Sequence, residues 1–325
     1  MNEGCENYRV SVVIPSYNNS KYLEKTIESV INQDYRNIEL IVIDDGSSDN
    51  SVAVLESLAE RCRSRFSRFE LRCRKNKGLC ATLNEALSWM SGQFMAVMDS
   101  DDVMLPNKTR VLVSHLAADD SLVGVFGGAQ IIDSEGEIIG ADAAPERTYS
   151  FLDILFRDKH LISSAGVWRL DDAREIGGYI DGMYIEDWYM WLRLTERGRK
   201  LKRIPVPLVL YRQHAHNMSR NALKMLESRK EILNIFKNFA GHDRRMAGVY
   251  LEASIDFSRN SKVTSWMYLF NAVRTHALIC IDIFFWRALA RASTPKLVLD
   301  LAKSSRRRVI QHLNFKERSV RSIGI

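Results

Sequence analysis

The sequence predicts an α/β protein with a mostly parallel central sheet, helices on both faces of that sheet, and a C-terminal helical region. Between about residues 8 and 130, short apolar runs alternate with segments of helical spacing, the pattern of βαβ units. Parallel strands are buried on both sides, so helices should cover both faces. After about residue 220 no run resembles a strand, and apolar residues follow helical spacing.

The first half opens with a buried strand at residues 10–14, whose residues are apolar and β-branched except for Ser11. The alternation then continues to about residue 130. The predicted strands are 10–14, 39–43, 69–73, 94–98 and 123–126, and the helices between them are 21–32, 52–62, 79–90 and 107–117.

The pattern from residue 130 to 220 is less regular, and its clearest elements are a helix at 186–197 and a strand at 208–211. We place a domain boundary near residue 220, between a domain at 1–220 and a helical region at 221–325. Four helices are predicted in that region, at 223–239, 246–257, 264–275 and 278–292.

Composition narrows the class of protein. With 46% apolar and 26% charged residues, the 325-residue chain is neither a coiled coil nor mostly disordered. Its net charge of +6 is uneven, because ten Lys or Arg and only two acids follow Trp286. The main body is therefore slightly acidic, and nucleic acid is not an expected partner.

Cysteine usage and hydropathy predict the compartment. Five cysteines without a CxxC spacing indicate neither a disulfide framework nor a zinc site. The polar N-terminus is unlike a signal peptide, and no apolar run approaches the roughly 20 residues of a membrane span. We therefore expect a cytoplasmic protein, with peripheral contact to the inner face of the cytoplasmic membrane left open.

Polar and acidic residues follow three predicted strands. These are Pro15 to Asn18, Asp44 to Asp49, and Asp99 to Asp102. Ligands of open parallel sheets bind beyond the carboxyl ends of the strands, so the three segments should share one rim. Taken alone, the segment Asp44 to Asp49 is better explained as a turn and helix N-cap, and Asp99 to Asp102 could be a solvated turn.

Two acidic clusters at one rim repel each other and need a cation or hydrogen-bond donors between them. Carboxylates with open water positions suit Mg²⁺ or Mn²⁺, which bridge to substrate phosphates. The glycine-rich phosphate loops GxGxxG and GxxxxGK[ST] are absent, so a metal is the expected means of neutralising phosphate.

Six ordered motifs point to a known family. They are SVVIPSYN, ELIVIDDGSSD, NKGLCATLN, the MDSDD run, IEDWYMWLRL and YRQHAHNMS. Together they resemble the family 2 glycosyltransferases, inverting enzymes with the GT-A fold, over about residues 8–220. The resemblance implies a nucleotide-sugar half at about 8–130 and an acceptor half at about 131–220.

The resemblance assigns a donor site. Tyr17 would lie against the nucleotide base, and Asp45 would accept a hydrogen bond from it. The third motif ends Thr82-Leu83-Asn84 where the family usually has Ala-Arg-Asn, so a charge contact at position 83 is missing. The residues expected around the nucleotide are Pro15, Tyr17, Asn18, Asp45, Asn76, Gly78 and Asp99.

The same resemblance assigns a divalent metal, Mg²⁺ or Mn²⁺, to the DxD motif. Asp101 would bind the metal directly, and Asp99 would hold the ribose or a metal-bound water. His214 would be the third ligand of the metal or the diphosphate, whereas His216 is out of register. Arg212 is a weaker candidate for a diphosphate contact.

In the family, Asp187 corresponds to the catalytic base, and Glu186 positions the acceptor or its loop. A sugar hydroxyl loses its proton as it attacks the anomeric carbon, which a carboxylate within hydrogen-bond reach can accept. Without the resemblance, the pair reads equally as acids at a helix start. Trp188 and Trp191 would form a sugar-stacking face or belong to the core.

The implied activity is transfer from a nucleotide-diphospho-sugar, with UDP-sugar favoured, to a hydroxyl of a glycan or lipid-linked acceptor, in cell-surface polysaccharide synthesis. An inactive nucleotide-sugar-binding or assembly subunit is the alternative from another class. A sugar-phosphate nucleotidyltransferase would need a glycine-rich loop after the first strand. The aromatic and basic residues at 263–310 suggest an anionic membrane surface, or equally helices with a solvated basic side.

Overall fold

The structure is a computed structural model that describes residues 7–142, 144–157, 161–215, 217–296 and 298. It separates into two compact units, Met1–Gln213 and His214–Ile325. The division lies a few residues before the domain boundary that we place near residue 220.

The first unit contains the sheet. Its strands are β1 (Val10–Ser16), β2 (Ile38–Asp44), β3 (Arg68–Cys73), β4 (Phe94–Val97), β5 (Val103–Met104), β6 (Leu122–Ile132), β7 (Ile138–Asp142), β8 (Arg147–Tyr149), β9 (Gly166–Arg169) and β10 (Lys200–Arg212). Its α-helices are α1 (Ser20–Ile31), α2 (Ser51–Arg65), α3 (Leu79–Trp89), α4 (Lys108–Ala118), α5 (Phe151–Arg157), α6 (Leu170–Glu175) and α7 (Glu186–Thr195).

The strands run in the order β3-β2-β1-β4-β9-β6-β10-β5, with β7 paired to β6 and β8 to β10. The block β3-β2-β1-β4 is parallel, as is the pair β6 and β10. Strand β9 joins these two blocks by antiparallel pairing on both sides. The predicted α/β class with a mostly parallel central sheet is confirmed, and the antiparallel additions make the sheet mixed.

Burial explains why the predicted strands were visible in the sequence. All seven residues of β2 are buried, as are all of β1 except Pro15. The carboxyl ends of β1, β2 and β4 are neighbours in one parallel block, so the loops that follow them emerge at the same rim.

The second unit is helical in its described part. Its α-helices are α8 (Ala222–Ile235), α9 (His242–Phe257), α10 (Lys262–Thr275) and α11 (Ile283–Ser293). Its core includes Ala247 and Leu251 of α9, Leu269 and Ala272 of α10, and Ala288 of α11. None of the helices within the described ranges has both the length and the apolarity needed to cross a bilayer.

The single helix expected at 278–292 is wrong. The segment forms a 3₁₀ turn, Ala277–Ile281, followed by α11. Asp282 interrupts the helix because its backbone is extended and its side chain accepts a hydrogen bond from the Phe284 amide at 2.8 Å. An aspartate in this position caps a new helix rather than continuing the old one.

Candidate active site

Three loops are hydrogen-bonded together at the rim of the sheet. The Asn18 amide donates to Ser47 Oγ at 2.8 Å, and Asn18 Oδ1 accepts from the Ser48 amide at 2.8 Å. Asn19 Nδ2 donates to Ser100 Oγ at 2.7 Å, which connects the loop after β1 to the DxD segment. Tyr17 stands half exposed beside these contacts, with its ring available to a ligand.

Asp45 is buried and fixes the neighbouring loop. Its carboxylate accepts from the amides of Lys77 at 2.8 Å and Gly78 at 2.9 Å, and from the Arg74 guanidinium. The hydrogen bond that Asp45 is predicted to accept from a base stays a prediction, and it would have to share carboxylate oxygens that already accept from Arg74, Lys77 and Gly78. Sequence reasoning missed Arg74, which also binds Glu85 at 2.8 Å.

A glycine allows the second and third motifs to approach. Gly46 has a φ of 79°, and a Cβ there would lie 2.7 Å from the Asn76 nitrogen. The Asn76 side chain is exposed, Pro15 is half-buried, and Gly78 precedes the first turn of α3. The structure therefore gathers the predicted nucleotide residues of the first three motifs at one edge of the sheet.

Carboxyl groups of the DxD motif and of the start of α7 lie close enough to shift one another's pKa. Burial, followed by the charges of Asp101 and Asp187, raises the pKa of Asp99 to about 7. Burial raises the pKa of Asp187 to about 6, although its carboxylate accepts from the Trp188 amide at 2.6 Å. Burial and the charges of Asp187 and Asp99 raise the pKa of Glu186 well above its ordinary value.

Beneath the acids lies a fully buried lysine that sequence reasoning missed. Burial lowers the pKa of Lys108 to about 7, against the charges of Asp102 and Asp99, which raise it. Lys108 Nζ has no hydrogen-bond partner among the described residues. Asp102 is also fully buried and accepts from the Arg212 amide at 2.7 Å and from the Ser164 hydroxyl.

The acidic cluster fits a divalent cation in part. Its oxygen donors are hard, and burial together with mutual repulsion disfavours their charged forms, which a cation would reverse. In the described ranges, no three His, Cys, Asp or Glu side chains form a ready metal site. A cation here would therefore take further ligands from water or substrate phosphate, as Mg²⁺ commonly does.

Arg212 stabilises the DxD loop through hydrogen bonds to main-chain carbonyls. Its buried guanidinium donates to the Asp101 carbonyl at 2.7 Å and the Asp133 carbonyl at 3.0 Å, and it lies 4.6 Å from the centre of the Tyr22 ring. These contacts correct the diphosphate role considered for Arg212, because the side chain is buried and held by backbone oxygens.

His214 opens the second unit, and its amide donates to Asn217 Oδ1. Its predicted role as a metal or diphosphate ligand stays a prediction. His216 lies outside the described residues.

The model of Glycosyl transferase family 2 matches residues 11–166 of the chain. The chain therefore contains a glycosyltransferase domain of this family. It is 29% identical over 239 residues to UDP-Glc:alpha-D-GlcNAc-diphosphoundecaprenol beta-1,3-glucosyltransferase WfgD of Escherichia coli, covering 71% of this chain and 87% of that protein. It is 30% identical over 239 residues to chondroitin synthase of Escherichia coli, covering 70% of this chain and 32% of the synthase.

Solved structures share the GT-A fold of this glycosyltransferase. S. aureus TarS 1-349 in complex with UDP-GlcNAc superposes with a TM-score of 0.65 at 18% identity, over 87% of this chain and 88% of that one. The mannosyltransferase PcManGT from Pyrobaculum calidifontis, in complex with GDP-Man and Mn²⁺, gives a TM-score of 0.58 at 14% identity, over 90% and 88%.

Asn84, in the third motif, holds the loop that leads to α7. Its side-chain amide donates to the Tyr179 carbonyl at 2.8 Å, and its Oδ1 accepts from the Tyr179 amide at 2.9 Å. A Cβ on Gly178 would lie 2.6 Å from Asn84 Oδ1, so this close approach requires glycine. The third motif thus positions the segment before Glu186 and Asp187, a role that the sequence pattern did not reveal.

The two tryptophans of α7 have different surroundings. Trp191 is buried and meets the rings of Phe126 and Trp168 edge-on, with centroids 4.7 Å and 4.9 Å away. Trp188 is half-buried, and its Nε1 donates to the Ile154 carbonyl at 3.0 Å. Of the two readings considered for Trp191, the core is therefore the correct one.

Proposed function

We propose that this glycosyltransferase transfers a sugar from a nucleotide-diphospho-sugar, with a UDP-sugar favoured, to a hydroxyl of a glycan or lipid-linked acceptor, inverting the anomeric centre. The reaction would serve cell-surface polysaccharide synthesis. The observation that carries the proposal is the meeting of Asp99 and Asp101 with Glu186 and Asp187 beside three linked rim loops.

The donor site is proposed at the rim loops. The exposed ring of Tyr17 offers a stacking surface for a base, and Asn18 and Asn19 hold that loop in place. Two named proteins support a UDP-sugar: WfgD uses UDP-Glc by its name, and TarS was solved with UDP-GlcNAc. PcManGT was solved with GDP-Man, so the base must be tested directly.

The chemical step is proposed to be one displacement. The acceptor hydroxyl oxygen forms a bond to C1, the bond from C1 to the diphosphate oxygen breaks, and the hydroxyl proton passes to Asp187. A pKa of about 6 leaves Asp187 ionised at neutral pH while keeping it more basic than an ordinary aspartate. Attack opposite the leaving group inverts C1, so no covalent nucleophile is needed.

Glu186 would act in a different protonation state from its neighbour. Its pKa is raised well above the ordinary range by burial and by the charges of Asp187 and Asp99. A protonated Glu186 can donate a hydrogen bond to the acceptor or to its loop, while Asp187 accepts the proton. Two carboxyl groups with separated pKa values can thereby divide the tasks of donor and base.

Asp99 and Asp101 would hold a divalent cation, Mg²⁺ or Mn²⁺, with His214 as the further ligand expected from the sequence. Such a cation supplies positive charge where negative charge develops on the leaving diphosphate. Lys108 lies beside this site and favours the ionised form of the Asp99 carboxyl, because its charge lowers the pKa of Asp99.

The test is a screen of nucleotide sugars for release of nucleoside diphosphate, with and without Mn²⁺, followed by NMR of the anomeric configuration of the product. Metal-dependent release and an inverted product are expected. Release of pyrophosphate would instead identify a nucleotidyltransferase. Tight donor binding without turnover of any donor, in the presence of lipid-linked and free glycan acceptors, would identify an inactive binding subunit.

A further inference from the structure

The second unit exposes an apolar stripe along α10. Val263, Trp266, Met267 and Phe270 follow the spacing i, i+3, i+4 and i+7, which places them on one side of the helix. Their exposed fractions range from 46% to 82%. The opposite side of α10 is buried, so this helix carries apolar residues on both its core side and its solvent side.

The 3₁₀ turn and α11 carry further exposed apolar side chains. Both elements contact α10 and contribute residues to the same core. Nine of the eighteen large apolar side chains exposed among the described residues lie between 263 and 286. We call these nine the apolar face: Val263, Trp266, Met267, Phe270, Leu278, Ile281, Ile283, Phe284 and Trp286.

Positive charge adjoins the apolar face. Arg287, Arg291 and Lys296 follow it directly. The sequence then adds seven more Lys or Arg against two acids between residues 297 and 325, a segment that lies outside the described residues except for Val298. Exposed aromatic and aliphatic side chains beside basic residues are the combination that binds the headgroup layer of anionic bilayers.

We propose that the apolar face docks on an anionic lipid bilayer and holds the enzyme at the membrane surface. Pairing with a second copy is disfavoured, because it would bring two copies of the basic residues Arg287, Arg291 and Lys296 together. Nucleic acid requires basic charge but not nine exposed apolar side chains. The inference goes beyond the proposed chemistry, and it stands whether or not the acceptor is lipid-linked.

The test is co-sedimentation of the full chain with vesicles of phosphatidylcholine containing 30% phosphatidylglycerol (about one anionic lipid in three), beside pure phosphatidylcholine vesicles. We expect binding to the anionic vesicles and at least tenfold weaker binding to the neutral ones. Raising the salt from about 0.1 M to 1 M should weaken binding, because the Debye length falls from about 10 Å to 3 Å.

The double variant Phe270→Ser/Trp286→Ser should lose at least tenfold in partitioning. Both side chains are exposed, so thermal unfolding should match the wild type. The matched control is Leu223→Ser/Ile235→Ser, which removes two exposed apolar side chains of α8 in the same unit and should bind vesicles normally. Equal sedimentation of wild type and the Phe270/Trp286 variant would overturn the proposal.

Deletion of residues 297–325 tests whether the bilayer or the C-terminal tail of the chain covers the apolar face. We expect the shortened chain to keep its preference for vesicles over buffer but to lose most of the salt-sensitive part of binding. Tighter vesicle binding after deletion would show that the tail covers the face, which overturns the proposal. A concentration-dependent dimer that the Phe270/Trp286 variant abolishes would overturn it as well.

Measuring the rate of donor hydrolysis distinguishes failure of the bilayer proposal from failure of the proposed function. The Phe270/Trp286 variant and its control should both release nucleoside diphosphate at the wild-type rate. Vesicle binding without donor turnover would leave the bilayer proposal standing and refute only the chemistry.

Discussion

Replacement of Asp187 by asparagine tests the assignment of the base most directly. The substitution keeps the size of the side chain and an oxygen that can accept from the Trp188 amide, now 2.6 Å from the carboxylate. It removes the group that would take the acceptor proton. The variant should therefore fold and bind UDP as the wild type does, yet fail to transfer sugar.

The expected loss is large. General base catalysis contributes about 10²- to 10⁴-fold, or roughly 3–5 kcal/mol of barrier. The pH dependence gives a second measure. With a pKa of about 6, Asp187 is ~10% ionised at pH 5 and ~90% ionised at pH 7, so wild-type turnover should fall about ninefold across that range. Saturating divalent cation keeps Asp99 ionised meanwhile, because a bound cation favours the carboxylate.

The assay is the initial rate of transfer to acceptor under saturating metal, beside calorimetric titration with UDP. Glu186→Gln is the matched control: burial and the charge of Asp187 raise the pKa of Glu186 well above its ordinary value, which favours the neutral form, so a neutral amide should cost less than about tenfold. Transfer by Asp187→Asn within tenfold of wild type, or the same acidic limb in its pH profile, would refute the role of Asp187.

Three further predictions concern the neighbouring residues. Without a cation, stability should fall as pH rises from about 4 to 7, because raised pKa values of Asp99 and Asp187 stabilise the fold only while the groups are protonated. Mn²⁺ should therefore raise the melting temperature more at pH 8 than at pH 5.5. Asp101→Ala should abolish this stabilisation by Mn²⁺, and a variant that Mn²⁺ stabilises as much as the wild type would contradict the metal assignment. Lys108→Met should move the pH midpoint of Mn²⁺ binding upward, since the ammonium charge of Lys108 lowers the pKa of Asp99. Calorimetric titration with Mn²⁺ at several pH values measures this midpoint, and an unchanged midpoint would contradict the role of Lys108. Asn84→Ala should raise the KM for acceptor while leaving UDP affinity intact, because two hydrogen bonds worth about 1 kcal/mol each join Asn84 to Tyr179 in the loop before α7. An unchanged acceptor KM would contradict the proposal that Asn84 positions this loop.

The buried parallel strands were predictable because their burial on both sides leaves continuous apolar runs. Strand β2, buried along its whole length, is the clearest case. The short strands β5, β7 and β8 were missed for the opposite reason. β5 has two residues, and β7 is partly exposed throughout, so neither produces a periodic signal, and pairing with β10 or β6 decides their conformation.

The acidic residues that follow β2 and β4 were predictable because position after a strand fixes where they emerge, whereas Glu186 and Asp187 begin α7 and were assigned by the family resemblance. The side chains that surround these acids were not predictable. Arg74 and Lys108 are charged residues with little exposure, and composition gives no sign that a lysine will be fully buried at the start of α4. The capping of α11 by Asp282 was missed because the apolar pattern continues across it.

Helix α3 touches both halves of the site. Gly78, just before its first residue, donates to Asp45, and Asn84 lies six residues further on, bound to Tyr179. Six residues of helix span about 9 Å and move as a rigid body. A shift at the Gly78 end of the helix would therefore be transmitted to the loop before α7, which Asn84 holds. Binding at the proposed donor site would therefore alter the proposed acceptor site through the helix itself.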